Sequence, residues 1–208
     1  MIADETAARE YCAQWCDTGT LENLETFIAM LREENARQNL ISTRSLDEVW
    51  QRHIADSLQL LAHVPRGTQP WLDLGSGAGM PGLVIAISQP SLPMTLVESR
   101  KRRVTWLETV KQRFALENCT IEGARLENVE NFSAGVICAR AFAPLEKLFR
   151  LSTRFSTRDT HWLLPKGRSA AQELAEQPES VTRMFHVEQS LTDADAGIVV
   201  GCGRPDIR

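Results

Sequence analysis

The chain has 208 residues, 43% of them hydrophobic, which allows a sizeable core in one domain with an appended segment. Its first ten residues are polar and acidic, and no apolar run approaches the roughly 20 residues of a membrane span, so a cytoplasmic protein with no secretory signal and no membrane anchor is expected. The formal net charge of −4 divides into −6 over residues 1–65, +6 over 66–170 and −4 over 171–208, and this basic middle admits an anionic partner despite the acidic total.

Residues 1–65 read as helical. Leu21, Leu24, Phe27, Ile28 and Leu31 follow the helix period. Cys12 and Cys16 lie one helical turn apart, but no further ligand pair accompanies them, so packing cysteines are expected and no metal site. The five cysteines, an odd number without framework spacing, suit a reducing compartment. A second helix is expected from Ser45 to about His63, with Val49, Ile54, Leu58 and Leu61 inward. Ser45 followed by Glu48 reads as its capping box. Pro65-Arg66-Gly67 then breaks the chain.

From Pro70 short apolar runs alternate with helical stretches. The runs are Trp71–Leu74, Met94–Val97, Cys119–Ile121, Gly135–Ala139, Trp162–Leu164, His186–Leu191 and Ile198–Val200, with helices at about 81–89, 100–117 and 144–156. This alternation predicts a mostly parallel sheet with helices on both faces. The last two strands are joined only by Thr192–Gly197, which suits an antiparallel hairpin. The fold class is therefore α/β: a seven-stranded, Rossmann-like sheet over residues 66–208, an architecture common among class I methyltransferases, with an N-terminal helical segment over 1–65 packed on it.

The first of these strands runs into Asp73-Leu74-Gly75-Ser76-Gly77-Ala78-Gly79-Met80-Pro81-Gly82 and then a helix. Glycines let the backbone turn tightly and approach a ligand, since no Cβ intervenes. The N–H groups of the helix start suit an anionic group: a pyrophosphate in a dinucleotide, or the amino-acid carboxylate of S-adenosylmethionine. Glu98 ends the next strand, where an acidic side chain can accept from ribose hydroxyls. Gly77-x-Gly79-x-x-Gly82 also satisfies the dinucleotide pattern, so a nicotinamide-dependent oxidoreductase stays open. Asp73, which gives Asp-x-Gly-x-Gly-x-Gly, shifts the balance to a methyltransferase that binds its cofactor through Asp73, Gly75, Gly77, Gly79 and Glu98.

Several blocks extend the pattern: Asn39-Leu40, Arg52-His53-Ile54-x-Asp56-Ser57, the glycine turn, Arg102-Arg103, Arg140-Ala141-Phe142-Ala143 and Lys166-Gly167. Together and in this order they resemble the ribosomal RNA small subunit methyltransferase G family, also called the glucose-inhibited division protein B family, over about Leu31 to Gly167. The resemblance implies S-adenosylmethionine-dependent methylation of a guanine N7 in 16S ribosomal RNA, with the small ribosomal subunit as partner and a monomeric enzyme. By position it puts cofactor contacts on Gly75, Met80, Leu126, Glu127 and Arg140. Met80 stands where the family often has leucine or phenylalanine, Ile41-Ser42 where threonine tends to come first, and Arg102 where lysine is usual. A methyltransferase acting on a small molecule or a protein is the remaining alternative within this class, and a non-enzymatic RNA-binding module would leave the cofactor motif unexplained.

Guanine N7 carries an in-plane lone pair and no proton, so such a reaction needs alignment and no general base. No catalytic residue is therefore expected. Arg140 follows the fourth strand, where it can contact the cofactor or grip an RNA backbone. Expected RNA contacts are His53, Arg102, Arg103 and Lys166, with Asp56 a candidate for the guanine's Watson–Crick edge. The cations of Arg100-Lys101-Arg102-Arg103 oppose the dipole of the helix they open, a local conflict that hints at phosphate binding. Lys147, Arg150, Arg154 and Arg158 read as one solvated helix face. His53, Asp56 and Ser57 share one helix face, too close together for a hydrolase triad.

Overall fold

A computed structural model describes residues 1–207. Seven strands form one sheet in the order β3-β2-β1-β4-β5-β7-β6: β1 Trp71–Leu74, β2 Met94–Val97, β3 Cys119–Glu122, β4 Val136–Cys138, β5 His161–Gly167, β6 Phe185–Gln189 and β7 Gly197–Cys202. β1 to β5 pair in parallel, and β7 runs antiparallel between β5 and β6. The helices are α1 Glu5–Cys12, α2 Thr18–Gln38, α3 Thr43–Asp47, α4 Asp56–Leu58, α5 Gly82–Ser88, α6 Lys101–Arg113, α7 Leu145–Ser152, α8 Ala170–Ala175 and α9 Glu179–Thr182.

Alternation along the strands divides the core between the two faces of the sheet. Trp71, Met94, Leu96, Val136, Cys138, Leu163 and Ile198 join one cluster with α5, α6 and the N-terminal helices. Leu72, Leu74, Ile137, Trp162, Leu164 and Val199 join the other with α7 and α8. Burial on both faces explains why these strands read as short unbroken apolar runs. Leu21, Leu24, Phe27, Ile28 and Leu31 of α2 are all buried, as is Cys12, and Phe27 stacks on Trp106 of α6. The N-terminal helices thus share a core with the sheet.

The helix expected from Ser45 to His63 is not one helix. Ser42, not Ser45, caps the start: its Oγ accepts from the Ser45 N–H at 3.2 Å. The backbone leaves helical geometry at Glu48, so the Ser45–Glu48 capping box does not form. A π-helix follows over Trp50–Ala55, then α4, then a 3-10 turn over Gln59–His63. The cause is distant in sequence. Glu5 of α1 accepts from the backbone N–H groups of Trp50 and Gln51 at 2.9 and 2.7 Å, capping the π-helix from outside. The change of winding also moves the buried position from Leu61 to Leu60, which is fully buried. Asn39, in the Asn39-Leu40 block, ends α2 in the left-handed conformation at φ +47°, a role asparagine tolerates well.

The basic stripe Lys147–Arg158 is likewise not one helix face. α7 stops at Ser152 and Arg154 lies in a 3-10 turn. Its guanidinium is held by the carbonyls of Leu126 and Val129 and by Asn131, against the ring of Phe155. Among the described residues no helix is long and apolar enough to cross a membrane.

Candidate active site

The glycine turn leaves the carboxyl end of β1 with three glycines in left-handed backbone, Gly75 at φ +68°, Gly77 at +57° and Gly79 at +101°. L-residues with side chains rarely adopt these angles. At Gly75 a second reason applies, because a Cβ would come within 2.6 Å of Cδ2 of Phe142.

Asp73 organises the turn from below. It is fully buried, and its Oδ2 accepts from the N–H of Gly82 at 3.2 Å. The Cys138 thiol lies 3.6 Å from Oδ1, and Ser76 Oγ donates to the Asp73 carbonyl. Burial pushes the Asp73 carboxyl up to about 6, against the hydrogen bonds from Ser76, Gly82 and Cys138 that pull it down. Burial and the neighbouring Asp73 together drive the Cys138 thiol well above its usual range.

Glu98 follows β2 and is also buried. Its Oε2 accepts from the N–H of Gly77 at 3.1 Å and its Oε1 from the N–H of Arg100 at 2.8 Å. This carboxylate stands at the N-terminus of α6 and offsets the cations there, which resolves the dipole conflict read from the sequence. Arg103 turns inward: its Nη1 is 4.0 Å from Glu98 and close to Gly77. Arg102 remains exposed and donates to the Arg37 carbonyl at 2.8 Å, tying α6 to the end of α2.

Met80 is buried in the core beneath the turn. Leu126 is buried at the start of a 3-10 turn, Leu126–Asn128, while Glu127 is exposed. The turn is fixed by Arg154, which the sequence reading had left on a solvated face.

Arg140, just past β4, joins the sheet to the π-helix. Its Nη1 donates to the Arg52 carbonyl at 3.1 Å and to Asp56 Oδ2 at 3.3 Å, and its Nη2 donates to His53 Nδ1 at 3.0 Å. Asp56 Oδ1 accepts from Gln59 at 2.8 Å and from Thr192 Oγ1 at 2.9 Å. Gln59 in turn accepts from the Leu191 N–H at 2.8 Å. The short link between β6 and β7 is thereby built into the site, which its polar composition did not reveal. Burial, then the charges of Arg140 and Arg52, hold His53 down to about 3, so it is neutral.

Around this network opens a cleft of about 610 Å³, lined among others by Arg52, His53, Asp56, Arg140, Phe142 and Lys166. Phe142 lines the cleft and packs against Gly75 of the glycine turn. Ala141 beside it holds φ +52°, uncommon for a residue with a Cβ. Lys166 reaches the cleft, but its ammonium is mostly buried and donates to Glu173 at 2.9 Å and to the Ala143 carbonyl. Despite the carboxyl-raising effect of burial, bonds from Lys166 and Ser169 hold Glu173 below its usual range. Among the described residues no cluster of His, Cys, Asp and Glu fits a metal ion.

The arrangement fits S-adenosylmethionine. Gly75 and Gly77 lie at the carboxyl ends of the strands beside a buried carboxylate, Glu98, with the Phe142 ring against Gly75 and the Arg103 guanidinium against Gly77.

A family model described as rRNA small subunit methyltransferase G matches residues 20–198. A ribosomal RNA small subunit methyltransferase G from Erythrobacter litoralis is 60% identical over 204 residues, covering 98% of this chain and 99% of that protein. Among solved structures, a MtNAS mutant in complex with S-adenosylmethionine superposes with a TM-score of 0.55 at 13% identity, covering 88% of this chain and 75% of that one. Precorrin-6y C5,15-methyltransferase from Geobacter metallireducens gives a TM-score of 0.53 at 10% identity, covering 80% and 92%. At these identities the structural likeness establishes the fold, that of the class I methyltransferases.

Proposed function

The chain belongs to the ribosomal RNA small subunit methyltransferase G family, and we propose that it transfers the methyl group of S-adenosylmethionine to N7 of a guanine in 16S ribosomal RNA. The observation that carries the reading is that Phe142, which lines the Arg140 cleft, also packs against Gly75 of the glycine turn. Donor and acceptor sites are thus adjacent, as an in-line transfer requires.

S-adenosylmethionine, when bound, supplies an activated methyl group on a sulfonium. The protein's residues supply placement. Gly75 and Gly77 offer backbone without side chains, and Glu98 is the carboxylate placed to accept from ribose hydroxyls. Met80, Leu126 and Glu127 belong to the two turns that flank this seat. Arg140 binds its neighbours and orients the cleft wall. N7 loses no proton as it is methylated, so no residue is assigned as a base. Positive charge moves onto the purine, and the pairing of Asp56 with Arg140 offsets the guanidinium charge that would oppose that movement.

Arg102 and the exposed head of α6 are assigned to the RNA backbone, where cations fix position without reading sequence. Residues 1–65 and 66–208 act as one catalytic unit, monomeric and cytoplasmic, with the small ribosomal subunit as partner. The glycine spacing and Glu98 suit either cofactor, and the family membership favours S-adenosylmethionine over a nicotinamide.

The test is incubation of the protein with methyl-labelled S-adenosylmethionine and small ribosomal subunits that lack the modification. Label in the 16S RNA after protein removal is the expected result. Label in ribosomal protein, or none at all, contradicts the proposal.

A further inference from the structure

We infer that His53 donates its Nε2–H to O6 of the target guanine and so selects guanine over adenine in the reaction. This rests on the function proposed above and adds a specificity-determining contact to it.

Three observations carry the inference. First, Nδ1 of His53 lies 3.0 Å from Nη2 of Arg140. A guanidinium can only donate, so Nδ1 must be the accepting, unprotonated nitrogen. The ring is then the Nε2–H tautomer, and Arg140, itself paired with Asp56, holds it there. Second, Nε2 is buried without a partner in the protein, although the great majority of buried polar atoms have one. Trp15 Nε1 is the other such side-chain atom among the described residues, and it lies away from this cleft, so at the cleft His53 is the donor left free for a ligand. Third, His53 lines the cleft that stands beside the glycine turn. Nε2 has almost no exposure, so meeting a base requires the cleft wall to move.

The chemistry matches a purine presented for methylation at N7. On that edge guanine carries two acceptors, N7 and O6, whereas adenine carries the N6 amino group, a donor, in place of O6. A neutral N–H facing O6 therefore pairs with guanine and meets another donor in adenine. It also leaves N7 free to attack. Neutrality matters for rate, because N7 gains positive charge as the methyl arrives and a cation at O6 would oppose it. Burial and the flanking guanidiniums keep His53 neutral.

The test compares wild type with His53→Phe, which keeps a planar ring without a donor, and His53→Gln, whose amide keeps one. Substrates are small subunits lacking the modification, reconstituted either with guanosine or with 6-thioguanosine at the methylated position, sulfur being the weaker acceptor. Cofactor affinity is measured alongside by calorimetry. The expected result is a fall of about 10- to 100-fold in kcat/KM for His53→Phe at unchanged cofactor affinity, and His53→Gln within about fivefold of wild type. The thio substitution should slow wild type but slow His53→Phe no further. Activity of His53→Phe within about threefold of wild type overturns the inference. So does an equal loss in both variants, or a thio effect that persists in His53→Phe, since either assigns His53 a structural role. Wild type that labels no RNA is a different failure, that of the proposed function itself.

Discussion

The Glu98 carboxylate holds the glycine turn to the head of α6: it accepts from the Gly77 N–H at 3.1 Å and from the Arg100 N–H at 2.8 Å. A residue assigned to a ribose is thus also a brace for the turn. Glu98→Ala leaves a buried N–H at Gly77 unpaired and should cost about 1–3 kcal/mol of stability, with cofactor affinity falling at least about tenfold. Glu98→Gln, which keeps an acceptor, should recover most of the stability and less of the affinity. Denaturant unfolding and calorimetry on both variants check this. Full cofactor affinity in Glu98→Ala would remove Glu98 from the site.

Gly75 meets Phe142. Gly75→Ala combines left-handed backbone with a Cβ 2.6 Å from the ring. It should lose about 1–2 kcal/mol of stability and most cofactor binding, with Gly75→Val worse in both. Adding Phe142→Ala removes the clash but not the backbone strain or the lost approach. The double variant should therefore regain part of the stability and none of the binding. Recovered binding would show that Phe142, and not the cofactor, sets the need for glycine.

Two buried groups give opposite responses to pH. Asp73 titrates near 6 in the fold against an ordinary 3.8, so the folded state keeps a proton the unfolded state has lost. Stability contributed at this residue then falls as pH rises from about 4 to about 6, by roughly 3 kcal/mol in total. His53, held down to about 3 from 6.5, acts the other way. Below about 6.5 the unfolded state takes up a proton that the folded state refuses, so stability falls as pH drops toward 3. The two offset one another between pH 4 and 6 and are separable only in variants. Asp73→Asn should unmask a steeper loss of stability on acidification than wild type shows. Denaturation midpoints at intervals between pH 4 and 8 measure it, and identical slopes would contradict the assignment.

Lys166 is already paired. Lys166→Ala removes the cation paired with Glu173, which keeps its bonds from Ser169 and Leu145, and leaves the Ala143 carbonyl without this donor, and should cost about 1–3 kcal/mol. Its effect on the salt dependence of RNA binding should be small, because a cation that neutralises a carboxylate releases few phosphate counterions. A change of slope near one would show instead that the ammonium leaves Glu173 to meet a phosphate. Arg102→Ala, which alters an exposed cation, should reduce the slope at little cost in stability.

The sheet was legible because its central strands are buried on both faces and flanked by glycine, proline and polar turns. Six lie within two residues of where the apolar runs put them, and β5 runs three residues further, to Gly167. The antiparallel ending followed from one short link, Thr192–Gly197. The second N-terminal helix was misread because its winding is set by Glu5, more than forty residues away, which no local period records. The glycine turn and the residues near it are adjacent in sequence, and their meeting could be read. The cleft is assembled from the π-helix, the end of β4 and the β6–β7 link, three segments that only the fold brings together. Arg154 and Phe142 were obscured for a similar reason. Each acts on a distant turn, and neither residue type announces that.

The most direct measurement of the central claim is nucleoside analysis of 16S RNA labelled by this protein from S-adenosylmethionine. A single labelled species, 7-methylguanosine, is the predicted result and fixes cofactor, substrate and atom together. A label on an exocyclic amine or a ribose would contradict it, because either acceptor loses a proton on methylation and demands a base that this site has not been assigned.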